Sequence, residues 1–313
     1  MIFDADLAAE LRRTFAAALQ HADPVEARAG LLEAGWLDAL ESDPAMAVAI
    51  TFREQGRAGR DAAALDDVIG ADLGTGDAAV AYPAAPGLHV VLPAHRDATR
   101  LLWLPDLRGD GAALVDLDDA LAAQPVAGID PAAGWLGLTA QPVGRVTIVT
   151  TPAWPAALAA GRVAVAYQLV AGARALLERA ADYARDRRQF GTPIAAFQAV
   201  KHRLADTLVA ISAADAATVA AATTGTVTGA AVAKALAGRA AELAGRNCLQ
   251  VFGGIGFTTE HDFHRSYRRS LVLDRLLGDH RTLERQLGAQ LRAGALADEH
   301  VVELDDVPRV EPL

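Results

Sequence analysis

Cysteine occurs once in the 313 residues, as Cys248, which excludes an intramolecular disulfide and any cysteine-based metal site. It lies in an apolar helical stretch, so it reads as a buried, inert thiol. Lysine is nearly as scarce: Lys201 and Lys234 are the two lysines among 29 basic residues, a coding bias rather than a functional signal. Positive charge is in deficit overall, since 39 acidic residues leave a net charge of −10. That disfavours a nucleic-acid backbone or an anionic membrane surface as partner. Aromatic residues are only 5% of the chain, and Ala, Leu and Val carry the 52% apolar content, a composition that leans helical. The longest weakly charged stretch, Thr207 to Ala233, is rich in Ala, Thr and Ser and contains Asp215, which reads as too polar to span a bilayer. The first thirteen residues, Met1 to Arg13, are acidic and amphipathic without the apolar core of a signal peptide. The expectation is a soluble, cytoplasmic protein.

What is present divides the chain into three zones. Residues 1–76 read as an abbreviated helical domain: Asp4-Ala-Asp-Leu opens one helix, Glu26 to Leu40 forms a second, and Asp43-Pro44 starts a third, with Pro where the first turn tolerates it. Gly70 to Gly76, with three glycines, marks a boundary. Residues 77–153 carry short apolar segments (Leu88–Leu92, Leu101–Leu104, Ala113–Leu117, Trp135–Leu138, Val146–Val149) between Pro, Gly and Asp clusters, the pattern of a small β domain. Residues 154–313 return to helical spacing at Arg162–Arg185, Gln198–Ala222, Ala230–Phe252 and Asp262–Leu296, which predicts an antiparallel four-helix bundle. Segregated helical and strand zones make the fold class α+β.

Two segments carry chemistry. The first runs Arg187-Arg-Gln-Phe190-Gly191-Thr-Pro-Ile194-Ala-Ala-Phe197-Gln198, and the second Gln250-Val-Phe-Gly253-Gly254-Ile-Gly256-Phe257-Thr-Thr-Glu260. A guanidinium fork suits a pair of phosphate oxygens, Phe and Gln can bracket a ring, and a Gly pair lets backbone approach a ligand closely. Taken alone, each segment is equally a helix end with favourable cations or an ordinary glycine cap.

Together, in this order and separation, the pair resembles the acyl-CoA dehydrogenases, whose last domain carries R-x-x-F-G-x-x-I-x-x-F-Q and later Q-x-F-G-G-x-G-F/Y. Gly256–Asp262 is similar to an actinobacterial branch of that family, and Leu32-Glu-Ala-Gly-Trp36 resembles its early helical motif. The resemblance implies FAD shared at a subunit interface. Arg187 would face the pyrophosphate with Phe190 and Gln198 beside it, and Gln250, Gly253 and Gly254 would line the adenosine end of a flavin bound mainly by a neighbouring subunit.

The same register exposes what is missing. Family members remove an α-proton with a Glu placed before a Gly in the last helices, or with a base ahead of an Arg on an earlier helix. Those positions hold Leu277, before Gly278, and Gly161, before Arg162. Neither accepts a proton, so no catalytic residue is assigned. Asp274 sits most of a turn from Leu277, and Asp279 is a substitute only if the helix ends at Gly278. The flavin-contacting loop expected near residues 75–90 is absent from Thr75 to Gly87, and Asp279-His280-Arg281 replaces the usual turn after the Glu. This one-sided loss resembles the base-lacking subunit of actinobacterial heterotetrameric dehydrogenases acting on steroid side-chain thioesters. The resemblance implies a catalytic paralogue as partner in an α2β2 assembly, with acyl-CoA bound through that partner. A homo-oligomer using an atypical base and a flavin-free scaffold are the alternatives. No metal is assigned to His261 and His264, the run Arg265, Arg268, Arg269 reads as a solvated or interface face, and the tail from Asp298 is acidic.

Overall fold

A computed structural model describes residues 5–20, 23–95, 97–104, 111–118, 121, 123–126, 128–139, 143–149, 153–258 and 260–295. The first four residues and the acidic tail from Asp298 lie outside them. Five helices come first: α1 (Ala5–Ala18), α2 (Pro24–Glu33), α3 (Trp36–Ser42), α4 (Pro44–Ala58) and α5 (Ala64–Leu73). Asp23 and Asp43 cap α2 and α4 with their carboxylates on backbone N–H groups, each followed by Pro at the first turn. The single helix expected over Glu26–Leu40 is two, because Gly35 takes φ 81° and turns the chain between α2 and α3. The glycine-rich boundary narrows as well, since Gly70 is inside α5 and the break falls at Gly74 and Gly76.

Strands β1 (Ala79–Ala85), β2 (Leu88–Val91), β3 (Arg100–Trp103), β4 (Ala112–Leu117), β5 (Gln124–Pro125), β6 (Leu136–Leu138) and β7 (Gly144–Val149) form a sheet in the order β5-β6-β2-β1-β3-β4-β7. Only the β1–β3 pairing is parallel among the described strands. Strand β1, unforeseen because Ala and Pro dominate it, is the one that joins the two halves of the sheet.

The bundle follows: α6 (Ala153–Asp186), a small hairpin β8 (Arg188–Gln189) and β9 (Thr192–Pro193), α7 (Gln198–Thr224), α8 (Val227–Phe252), α9 (Phe263–Arg275) and α10 (His280–Arg292). Helix α6 is the hub, burying most of its length against α4, α5, α7 and α8. Small residues make that possible: a Cβ on Gly56 of α4 would stand 2.3 Å from the Gln168 carbonyl of α6. By length and composition both α6 and α7 reach bilayer-spanning criteria, although 83% of the apolar window of α6 is buried inside the protein. The Thr207–Ala233 stretch read as too polar had combined the end of α7 with the start of α8, across a turn at Gly225.

Buried ion pairs pin the parts together. Arg53 of α4 meets Asp215 of α7 at 2.7 Å, and Arg28 of α2 forks onto Asp67 of α5 with two 2.7 Å bonds. Arg269 of α9 reaches Asp130, in the segment before β6, at 2.5 Å. Arg269 therefore departs from the solvated or interface face expected of the Arg265–Arg269 run: it is buried within the chain, because a carboxylate 139 positions away neutralises it.

Candidate functional site

Both signature segments lie at one end of the bundle, around a small core in which Ala180 and Ala184 of α6, Cys248, Val251 and Phe252 of α8, and Ile194 pack together. Cys248 is fully buried there, and burial pushes its thiol up to about 12, consistent with an inert group. Past the end of α6, Arg187 N–H donates to the Tyr183 carbonyl, and the Arg187 carbonyl accepts from Ile194 N–H at 2.7 Å, closing the hairpin. Phe190 and Gly191 form its two-residue turn, both with positive φ (52° and 81°), as a type I′ connection requires. An L-residue pays about 1–2 kcal/mol to sit there. Yet Phe190 is 91% exposed, touching only the edge of the Phe197 ring at 6.2 Å among the aromatic contacts. A large apolar ring held in a strained conformation and presented to solvent points to a contact outside this chain.

The other predicted residues share that outward aspect. Arg187 is exposed and makes no ion pair among the described residues. Gln198 is exposed as the first residue of α7, and Gln250 is exposed on the last turn of α8. Gly253 ends α8 at φ 61°, ψ −138°, a conformation open to glycine, and a Cβ on Gly253 or Gly254 would meet nothing within 4 Å. Phe257, in the short turn Gly253–Phe257, is 77% exposed. The arrangement offers an exposed guanidinium, exposed rings and open backbone at one end of the bundle.

Leu277 and Gly161, deduced separately from the two places a base would stand, meet in space. A Cβ on Gly161 would be 2.8 Å from Leu277 Cδ1 and 3.1 Å from Ile69 Cγ1. Leu277 is 1% exposed, so the spot is filled by hydrocarbon from α5 and the loop after α9. Two buried cations hold that loop by its carbonyls. Arg162 Nε donates to Leu277 O at 3.0 Å, and Lys234 Nζ donates to Asp274 O at 2.8 Å and Gly278 O at 3.2 Å. Burial lowers both, Arg162 to about 10 and Lys234 to about 8. Lys234 was not anticipated as part of the site; a Lys in an otherwise apolar 3.6-period stripe was its only signal.

Both nearby aspartates are engaged in hydrogen bonds of their own. Asp279 caps α10, accepting from Thr282 N–H and Thr282 Oγ1. Partial burial pushes its carboxyl up, but those bonds and Arg275 outweigh it and hold the carboxyl below the usual range. Asp274 accepts from His280 N–H and lies 2.8 Å from His280 Nδ1. Between this loop and the β1–β2 hairpin runs a cavity of about 540 Å³, walled by Val90, Trp135, Tyr267, Asp279 and His280 among others. The Trp135 indole N–H is buried with no partner among the described residues.

Residues 153–291 match the family described as Acyl-CoA dehydrogenase, C-terminal domain. The acyl-CoA dehydrogenase IpdE2 of Mycobacterium tuberculosis is 36% identical over 172 residues, covering 54% of this chain and 52% of its own length. The acyl-CoA dehydrogenase FadE34 of the same organism is 34% identical over 67% of this chain and 28% of its own length. The chain thus spans about half, or less, of these curated relatives. Among solved structures, a variant of the Tcur3481-Tcur3483 steroid ACAD superposes with a TM-score of 0.74 at 23% identity, over 93% of this chain and 99% of that one. The ChsE4-ChsE5 complex from Mycobacterium tuberculosis gives 0.73 at 18% identity, over 96% and 99%. Butyryl-CoA dehydrogenase from Megasphaera elsdenii gives 0.70 at 18% identity, over 93% and 100%. The C-terminal bundle is therefore an acyl-CoA dehydrogenase C-terminal domain, and the chain as a whole has the acyl-CoA dehydrogenase fold.

Proposed function

We propose that this chain is the non-catalytic subunit of an FAD-dependent acyl-CoA dehydrogenase, a cytoplasmic protein organised as domains 1–76, 77–153 and 154–313. Its role is to complete the flavin site of a catalytic paralogue in an α2β2 assembly. The observation that carries this reading is an asymmetry. The arm formed by Arg187, Phe190, Gln198, Gln250, Gly253 and Gly254 is intact and outward-facing, whereas both base positions are occupied by Leu277 and Gly161, packed on each other.

The residues of the arm fit a flavin dinucleotide held mainly by another chain. Arg187, with no carboxylate partner among the described residues, would hold the pyrophosphate by charge-assisted bonds. Phe190 and Gln198 would flank it, and the open backbone at Gly253 and Gly254 would admit the adenosine end beside Gln250. FAD, once bound, supplies the hydride acceptor for α,β-dehydrogenation of an acyl thioester. Leu277, Gly161 and Ile69 hold and move no proton; they exclude water. Proton abstraction therefore falls to the partner, which also binds the acyl-CoA. Among the structural relatives, the Tcur3481-Tcur3483 steroid ACAD supports a steroid thioester as substrate class, and it and the ChsE4-ChsE5 complex, each named as a pair, support a paralogue as partner.

Co-expression with a full-length paralogue tests the reading. The pair should purify yellow and reduce a dye with acyl-CoA, and Arg187→Ala should loosen FAD by about 10-fold or more, the worth of one charge-assisted contact. Unchanged flavin content in that variant would favour a flavin-free scaffold. Yellow, active protein from this chain alone would overturn the proposal in favour of a homo-oligomer with an atypical base.

A further inference from the structure

A groove of about 570 Å³ runs between the starts of α6 and α8 and the length of α10, and its lining holds two arginines and no acidic side chain. Arg162 is 7% exposed. Among the described residues its guanidinium makes one bond, from Nε to the Leu277 carbonyl, and meets no carboxylate. Arg285, exposed on α10, donates to the Thr282 hydroxyl and likewise has no ion pair among the described residues. A guanidinium taken out of water without a counter-charge is costly, and buried charges are normally paired. The groove therefore indicates an anionic occupant. Around the two cations, Trp154, Leu158 and Val227 offer apolar surface, and Gln290 offers an amide. That mixture suits an extended peptide carrying both acidic and apolar side chains better than a small inorganic ion, which would leave the hydrocarbon uncovered.

The chain delivers such a peptide to the edge of the groove. At the end of α10 Gly294 takes φ 70°, its N–H donates to the Leu291 carbonyl, and Ala295 N–H donates back to the Gln290 carbonyl at 3.0 Å. This pair of bonds across a left-handed glycine turns the backbone off the helix axis, and it does so beside Gln290, which lines the groove. From Gln290 back to Thr282 the α10 wall is about 12 Å long at about 1.5 Å per residue, a span that about four extended residues cover. The residues that follow, Asp298-Glu-His-Val-Val-Glu-Leu-Asp-Asp306, carry five carboxylates and three aliphatic side chains. We propose that residues 298–306 occupy the groove between α6 and α10, with carboxylates on Arg162 and Arg285 and with Val301, Val302 and Leu304 against its apolar surface. The segment acts as a built-in plug, so that an anionic ligand arriving from solution meets a groove already filled and neutralised.

The plug does not rest on the role proposed for the flavin arm, and its test needs neither flavin nor activity. In the full chain, Gln286→Cys with Val302→Cys should form a disulfide within one chain under mild oxidation, Cys248 being buried and inert. Adding Arg285→Glu, or Asp298→Asn with Glu299→Gln and Glu303→Gln, should slow that closure several-fold. Inorganic pyrophosphate then probes the groove itself. A chain ended after Ala295 should gain several degrees more in thermal midpoint from pyrophosphate than the full chain does, and Arg285→Glu should remove the excess. If the shortened chain fails to fold, the full chain carrying the three neutral substitutions replaces it and should show the same excess. Failure to close overturns the proposal. Disulfides between chains would give the groove to a second copy, and equal pyrophosphate shifts would mean a groove open to ligands from solution; each of these overturns it as well.

Discussion

The contact between Gly161 and Leu277 can be tested by stability alone. In Gly161→Ala the new methyl would stand 2.8 Å from Leu277 Cδ1 and 3.1–3.2 Å from Ile69, closer than carbon atoms normally approach. Overpacking of this kind costs about 1–3 kcal/mol, while replacing a mid-helix Gly by Ala returns about 1 kcal/mol. The net loss should be about 0–2 kcal/mol. Leu277→Ala removes a side chain that is 1% exposed and leaves a void, at about 2–5 kcal/mol. In the double variant the methyl introduced by Gly161→Ala enters space that the Leu277 side chain has vacated. The clash disappears and the helix gain remains, so the two changes should be less costly together than their sum by about 1–3 kcal/mol. Urea unfolding followed by tryptophan fluorescence gives all four free energies. Additivity within about 0.5 kcal/mol would refute the contact. It would also refute the idea that the two base positions of the family converge, filled, in this chain.

Two further outcomes follow from other parts of the molecule. Asp66 is fully enclosed, accepting from Tyr82 OH at 2.7 Å and Val80 N–H at 2.9 Å, with His95 Nε2 at 3.4 Å. Burial pushes Asp66 up to about 8 and His95 down to about 4. Above pH 3.8 the folded chain keeps an Asp66 proton that the unfolded chain has lost, so stability falls as pH rises to about 8. Between about 4 and 6.5 His95 works the other way and offsets that slope, since the unfolded imidazole is protonated and the folded one is not. The fall should therefore show from about pH 6.5 to 8, worth about 2 kcal/mol, and Asp66→Asn, which mimics the protonated acid, should flatten it; a slope that survives in Asp66→Asn places its origin elsewhere. Phe190→Asn puts a residue tolerant of positive φ into the hairpin turn, so the isolated chain should unfold at the same urea concentration or slightly above. The assembled complex should nevertheless lose flavin more readily on dilution, and equal retention would remove Phe190 from the site.

The site was legible where chemistry lies along the chain and hidden where it lies across it. The run from Arg187 to Gln198 and the Gly253-Gly254 pair could be read because their demands are local: a guanidinium at a helix end, a turn needing positive φ, backbone left bare. The substitution of Leu277 and Gly161 for acids was also visible, but their mutual contact depends on how α6 passes the loop after α9, 116 positions on, which no local pattern encodes. Nothing in the sequence marks Asp66 and Asp67 as buried, yet both are, because Tyr82, Trp36 and Arg28 come from three other elements to meet them. Arg269 misled for the same reason in reverse. Periodicity assigns a charge to solvent unless its partner is known, and Asp130 belongs to another zone of the chain.

The exposed arm also bears on how tightly a partner can hold. Phe197 begins a line along α7 that continues at helical spacing through Lys201 and Ala205 to Leu208, with Val209 beside it; Leu208 and Val209 are 44% and 69% exposed. Burying Phe190, Phe257, Leu208 and Val209 against another chain would contribute at most about 6–12 kcal/mol at about 1.5–3 kcal/mol per fully exposed side chain, and less because Leu208 is already more than half buried. Association costs about 4–15 kcal/mol in lost freedom before any contact counts. On these apolar contacts alone the assembly is marginal, and a dinucleotide bridging the seam through Arg187 would supply what they lack. Because coupling between two ligands of one site is reciprocal, FAD must tighten the association of the subunits by the same factor by which the second subunit tightens FAD. Sedimentation of the pair across a dilution series, with and without added FAD, should show dissociation at higher concentration in the flavin-free sample. Arg187→Ala should shrink the difference by about 10-fold or more while leaving the flavin-free dissociation unchanged. A midpoint indifferent to FAD would mean that the exposed arm meets the partner for packing alone.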